Sequence, residues 1–360
     1  MSVAQTMPPS GAAVAPTRSA SVQSSRWLGS LTGRIGAALL GLILAACVAS
    51  LPWSAGQVKS RGGSVPRYAA GNLDCALLAP GARAPISASG TPATAGNAPA
   101  AGAAPDPAAY VPTTLLGTDR LGRDMLARVL AGGSVSMLVG ISAATIAVVV
   151  GTLWGAASGW LGGRTDALLM RTVDVLYGLP SMLLVVLLAV AVDGALMRLG
   201  IERTGAGSQA INVAVLVIAI GATSWLTVAR VVRGQVLSLR AQPFMEAARA
   251  AGIGPWRQFS RHLLPNLVGP ITVYAALAVP AAILSESFLS FLGLGIREPL
   301  PSWGNLAASG LNEVNTVRSR WWLPLWPCVL VAVALLSLNF VADAMRDRFD
   351  PMATRGRARA

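Results

Sequence analysis

Few side chains in this 360-residue chain could do chemistry, and their spacing narrows the options further. A loop that cradles nucleotide phosphates needs Gly-x4-Gly-Lys-Ser/Thr. The single lysine, Lys59, lies in GQVKSRGG, which lacks that pattern, so the chain is not a self-sufficient P-loop hydrolase. A zinc site needs clustered thiolates and imidazoles, and a nucleophile needs an adjacent base. Here the lone His262 and three cysteines, Cys47, Cys75 and Cys328, are scattered with no CxxC pair. No catalytic residue, no metal site and no cofactor bound by this chain is therefore expected. Two charged patterns remain. Asp119, Arg120, Arg123, Asp124 and Arg128 alternate in sign in the stretch from Gly117 to Ser136. Glu286 stands alone in ILSESFLSF, inside an apolar run. A carboxylate at mid-bilayer costs about 2.5–3.5 kcal/mol on insertion scales unless it faces a cavity or a partner. Glu286 thus reads either as a residue lining a path through the membrane or as a hydrogen-bonded anchor to a neighbouring helix.

The elements that would position these residues are membrane spans. The composition is 54% hydrophobic and only 12% charged, where a soluble domain carries about 25%. Apolar runs near 35–54, 135–157, 172–193, 211–231, 267–290 and 323–342 each approach the roughly 20 residues that cross a bilayer as a helix. The expected fold is an all-α polytopic membrane protein with six transmembrane helices. Leu44-Ala45-Ala46-Cys47 resembles a lipoprotein cleavage box, but five spans follow it, so it is read as part of an uncleaved first helix. Gly140, Gly151 and Gly155 fit close helix packing. Asp174, before Pro180, reads as an interfacial cap of the third span, and Pro299, Pro301, Trp303, Trp321 and Trp322 read as a boundary between water and lipid.

Around the spans, 1–34 reads as a disordered tail and 35–54 as the first transmembrane helix. Segment 55–112 reads as a flexible insert, its middle almost wholly Ala, Pro, Gly, Ser and Thr. Segment 113–345 is a core of five spans, and 346–360 a basic tail. Six spans place both ends on one side. The segments of that side hold sixteen arginines, against five in the two short loops opposite. The positive-inside rule then makes both termini, and the 243–265 loop, cytoplasmic, and 55–112 extracytoplasmic. The net charge of +13 comes from this placement; no basic, aromatic-interleaved surface for nucleic acid is present.

The loop containing EAARAAGIGPWRQFSRHLLPN, Glu246 to Asn266, is too polar to span yet carries helix signals. Pro243 suits a first helical position. Phe244, Ala247, Ala248 and Ala251 form a stripe at helical spacing, and Gly252 suits a left-handed closing residue. Pro255 starts a second arm with Trp256, Phe259 and Leu263 on its apolar side and Arg257, Gln258 and Arg261 largely opposite. Pro265 is expected to end that arm. A helical hairpin lying on the membrane face results, with Glu246 on the favourable end of its helix dipole. By periodicity alone it could be a passive interfacial tether.

Glu246, Ala247, Ala248, Gly252, His262, Leu264 and Pro265 stand at the spacing EAA-x3-G-x9-I-x-LP and resemble the loop of ABC importer permeases, with His262 where isoleucine is usual. Two further stretches are similar to the second, C-type permease subunit of the dipeptide/oligopeptide/nickel family. One is GTDRLGRDMLARVLAGGSVS, with Gly117, Thr118, Asp119, Gly122, Arg123, Asp124 and Arg128 in its pattern and Ala127 in place of the usual serine. The other is LSFLGLGIREPLPSWG, Leu289 to Gly304, with Glu298 where proline is common. The resemblance covers roughly 113–350. It implies an ATP-driven importer in a bacterial inner membrane and a non-enzymatic chain. Its partners would be a homologous second permease, two ATP-binding subunits holding ATP and magnesium, and an extracytoplasmic solute-binding protein, all in membrane lipid. Di- or oligopeptides would be the substrates, with nickel or another small solute as the family's alternative. A secondary transporter driven by ions would instead show ionisable residues in several spans and inverted repeats; one clear intramembrane acid and no repeat are found.

Overall fold

The structure is a computed structural model and describes residues 31–60, 63–83, 110–200, 207–314 and 319–349. Six of its helices are long and apolar enough to cross a membrane. In chain order, α1 (Leu31–Ala49) and the single turn α2 (Leu51–Ser54) lead into a hairpin of β1 (Gln57–Ser60) and β2 (Gly63–Pro66). Then come α3 (Met125–Leu161), α4 (Gly163–Tyr177), α5 (Ser181–Arg198) and α6 (Gly207–Arg240). The chain continues through α7 (Pro243–Ala250), α8 (Pro255–Gln258), a π turn (Phe259–Leu263), α9 (Leu264–Phe291), α10 (Trp303–Leu311) and α11 (Trp322–Phe349). The multi-pass all-α fold expected from the apolar runs is the one observed.

The core is built on α3, which packs along α6 and α9, while α1 lies against α11. The α3–α6 contact is close because Gly151, Gly155 and Gly159 line one face of α3. A Cβ on Gly155 would stand 2.3 Å from the backbone oxygen of Ala229, so only glycine permits this approach. Small residues at i, i+4 and i+8 are a common solution where lipid supplies no hydrophobic drive between helices. Val139, Ala143, Leu216, Ile220, Ala282 and Leu289 fill the centre between α3, α6 and α9.

Several boundaries differ from expectation. The second span starts at Met125, ten residues before the apolar run, because Asp124 caps it by accepting from the N–H groups of Leu126 and Ala127. The expected third span, 172–193, is two helices. Gly178 and Pro180 break it into α4, which buries only Val173, and the spanning α5. Asp174 therefore lies outside the spans, on α4. The first helix begins at Leu31, inside the segment read as a tail; 1–30 and 350–360 lie outside the described residues. The insert expected to be flexible is partly folded. Gln57–Ser60 pairs with Gly63–Pro66, and Tyr68, Ala70 and Cys75 are buried. The Ala/Pro/Gly-rich part, 84–109, is again outside the described residues. Trp303 is not at a lipid boundary: it is wholly buried, its indole N–H donating to the Val129 carbonyl at 3.0 Å.

Candidate coupling surface and solute cleft

The 243–265 hairpin is closed by its own hydrogen bonds. Pro243 occupies the first turn of α7. At its far end the Ile253 N–H donates to the Ala248 carbonyl at 3.1 Å and the Gly252 N–H to the Arg249 carbonyl at 3.0 Å. These are the paired bonds of a Schellman closure, and Gly252 has the required φ of +73°. The Gln258 side-chain amide reaches back to the Ile253 carbonyl. In the second arm Leu263 is buried and Arg257 and Arg261 are exposed as expected, but Gln258 and Trp256 exchange faces: Gln258 is buried by this amide bond and Trp256 is 75% exposed. On α7 the inward residues are Met245 and Ala248; Phe244, Ala247 and Ala251 of the expected stripe face outward, beside exposed Glu246.

Pro265 does not end the second arm. The backbone passes from α8 through the π turn into α9, the Leu264 N–H donating to the Phe259 carbonyl. An α-helix would set the proline ring against the carbonyl four residues back; one wider π turn, placed just before Pro265, relieves that conflict. Residues 255–291 are consequently one helical rod. The hairpin is also fastened to its neighbours. Arg249 donates to the Arg240 carbonyl at 2.7 Å, and Arg240 to the carbonyls of Gly159 and Trp160 at 2.7 and 3.0 Å, closing the end of α3. Leu263 and Leu267 pack on Val232 and Val236 of α6. His262 is half-buried; Leu264 and Pro265 are exposed.

At the opposite end of the rods, residues 117–124 form a turn. Gly117 (φ +86°) and Gly122 (φ +66°) shape it, and Thr118 bridges to Asp124. Thr118 donates to the Cys75 carbonyl at 2.6 Å and accepts from the Leu78 N–H at 2.8 Å, so the ordered part of the insert clasps this turn. Asp124 also accepts from the N–H and hydroxyl of Thr113. Burial pushes its carboxyl up; these donors pull it part of the way back.

Asp119 accepts from Arg123 Nε at 2.7 Å and from Arg128 at 3.1 Å. Glu298 closes the cluster, taking Arg123 through both oxygens at 3.0 and 3.2 Å and Arg128 at 3.1 Å. Sequence reasoning treated Glu298 only as a departure from a proline pattern; an acid in a loop otherwise carrying Arg297 was the available signal. Burial raises the Glu298 carboxyl, but the Arg123 hydrogen bonds and the charges of Arg128 and Arg123 outweigh it and hold the pKa at about 2. A depressed carboxylate contributes its full stability above its unfolded value of 4.5 and loses it as pH falls towards 2. An acid titration of the unfolding temperature should therefore show a step between those values that Glu298→Gln removes. The step will be small, since the side chain is 41% exposed and water screens it.

Glu286 is fully buried. Its oxygens accept from the hydroxyls of Ser290 at 2.7 Å and Ser287 at 3.3 Å, and from Ser136 of α3 and Ser302 at the start of α10. Three of these hydroxyls also take a backbone N–H: Ser290 from Ile296, Ser136 from Trp303, Ser302 from Asn305. The carboxylate thus orients a ring of serines that pins the 296–305 segment to α9 and α3. This placement is internal; Glu286 does not line a cleft.

A cleft of about 500 Å³ does lie between α5, α6 and α9, with the end of α4 at one mouth. Ser181, Ser224, Thr227, Tyr274 and Ser285, with Thr223 and Tyr177, put hydroxyls on its largely apolar wall. They were missed in the sequence because isolated hydroxyls in an apolar run carry no directional signal.

Six helices long and apolar enough to span a bilayer define a multi-pass membrane component. Residues 126–355 match the family described as "Binding-protein-dependent transport system inner membrane component", and the chain belongs to that family. It is 45% identical over 227 residues to the oligopeptide transport system permease protein OppC of Escherichia coli, covering 63% of this chain and 68% of that one. The OppC protein of Haemophilus influenzae is 42% identical over 227 residues, 63% and 67% of the two chains. The dipeptide transport system permease protein DppC of Bacillus subtilis is 38% identical over 224 residues, 62% and 64%.

Proposed function

We propose that this chain is one of two homologous permease subunits of an ATP-driven peptide importer in a bacterial inner membrane. It forms half of the path for di- or oligopeptides delivered by an extracytoplasmic solute-binding protein. Two cytoplasmic ATP-binding subunits, which hold ATP and magnesium, drive it; both termini and the hairpin face them. The observation that carries this reading is the hairpin: a preformed, outward-facing element continuous with a spanning rod. When the hydrolysing subunits close on nucleotide, Phe244, Glu246 and Ala247 are the surface they push. The Schellman closure, the Gln258 amide and the Arg249–Arg240 tie keep the hairpin stiff, so displacement passes into α9. That is a two-state element biased by nucleotide, as coupling requires. The peptide assignment follows from the similarity to oligopeptide and dipeptide permeases.

Isolation in mild detergent tests it. The chain should bring P-loop ATP-binding subunits with it, and Glu246→Arg, which alters only an exposed side chain, should release them while the chain stays folded. Purification of a monodisperse chain that transports in liposomes without ATP would overturn the assignment.

A further inference from the structure

The cleft between α5, α6 and α9 has a chemistry that the preceding reading does not assign. Its hydroxyls come from Tyr177 at the end of α4, Ser181 on α5, Thr223, Ser224 and Thr227 on α6, and Tyr274 and Ser285 on α9; that of Thr223 is held by the Ile220 carbonyl at 2.9 Å. Ser181, Ser224, Thr227 and Tyr274 make no hydrogen bond among the described residues, whereas the Ser285 hydroxyl is engaged by the Ala281 carbonyl at 2.9 Å. Among the described residues no acidic or basic side chain lines the cleft. The charged pair beside its α4 mouth is self-neutralised, Arg230 meeting Asp174 at 2.8 Å and lying over the Tyr177 ring at 4.0 Å.

Resting on the assignment of this chain as half of a peptide path, we propose that this wall is where the moving peptide is held, and that it recognises the main chain without reading side-chain charge. A peptide backbone presents N–H donors and carbonyl acceptors alternately. A hydroxyl is both donor and acceptor and rotates to suit, so each free hydroxyl pairs with whichever group passes. A fixed charge would act differently. In a passage of low dielectric it would retain oppositely charged side chains and repel like ones, by energies large compared with thermal energy. A neutral wall lets lysine-bearing and glutamate-bearing peptides pass alike. The wall also sits on moving parts, since Tyr274 and Ser285 belong to the rod that the hairpin begins.

The test adds a charge after assembly, so that folding is not in question. Thr227, exposed on the wall, is changed to cysteine in a Cys328→Ser background. The full complex, reconstituted in liposomes with its binding protein, is treated with a trimethylammonium or a sulfonate methanethiosulfonate. Uptake of Ala-Lys-Ala and of Ala-Glu-Ala is then measured with saturated binding protein. The cationic adduct should lower the lysine-to-glutamate uptake ratio by about tenfold, and the anionic adduct should raise it by a similar factor. A ratio unmoved by either adduct overturns the proposal. So does a cysteine that neither reagent reaches, because the wall would then face lipid or a packed chain and not an aqueous path. Failure of the unsubstituted complex to show ATP-driven uptake of any peptide would instead remove the transport reading on which the proposal stands.

Discussion

Gly252→Pro is expected to reduce ATP-driven uptake to background while leaving the spans assembled. Proline fixes φ near −65°, and Gly252 needs +73°. The substitution also removes the N–H that donates to the Arg249 carbonyl. Together these forbid the Schellman closure, at a cost on the order of 3 kcal/mol or more. The hairpin must reopen, and α7 loses its fixed angle to the rod. A Cβ here would meet nothing within 4 Å, so the effect of either substitution lies in the local backbone. Gly252→Ala is the graded control: it keeps the N–H and meets only the left-handed penalty of about 1–2 kcal/mol. The ordering expected is wild type, then alanine, then proline, both in uptake and in the yield of co-purified ATP-binding subunits. If the proline variant imports normally, rigidity of this element is irrelevant to coupling.

Glu286→Ala is expected to lower the unfolding temperature of the purified assembly by about 5 °C. Removing the carboxylate leaves a cavity and strips the shared acceptor from the hydroxyls of Ser136, Ser287, Ser290 and Ser302. Each orphaned buried donor costs about 1–3 kcal/mol, partly recovered where a hydroxyl rotates to a helix carbonyl. A total near 3–5 kcal/mol corresponds to a shift of that size for a chain of this length. Glu286→Gln preserves the volume and one carbonyl acceptor but brings an NH2 group into a ring of donors, so a loss roughly half as large is expected. The serines carry the N–H groups of Ile296, Trp303 and Asn305. The alanine variant should therefore also expose the 296–305 segment to proteolysis before the spans unfold. A shift below about 2 °C would mean that the serines do not depend on this acid.

The two substitutions act at opposite ends of one rod, which is why their signatures separate. Gly252→Pro is expected to undo the local closure of the hairpin, a cost confined to that element and distant from the packing of the spans. Glu286 governs how firmly the far segment is attached. A variant combining both should show additive effects, because the sites share no partner and lie beyond the range of direct coupling.

The sequence by itself determined that this chain crosses a membrane in six helices, since apolar length answers directly to bilayer thickness. It also determined the small helical hairpin at 243–265, because proline at a helix start and glycine at a closing turn act through local backbone geometry. Only the tertiary structure decided where elements that depend on distant partners begin and end. Met125 opens α3 because Asp124 is held by Thr113, and Gly122 lacks a side chain because the Asn72 carbonyl occupies its place. Pro265 breaks a helix in isolation, but a π turn packed on α6 absorbs it. The inward face of the hairpin was misjudged, since periodicity gives a stripe but not what lies against it. Glu286 could be narrowed from the sequence to two roles and no further. Which way a buried carboxylate points is set by serines up to 150 residues away, and that proximity exists only once the helices have packed.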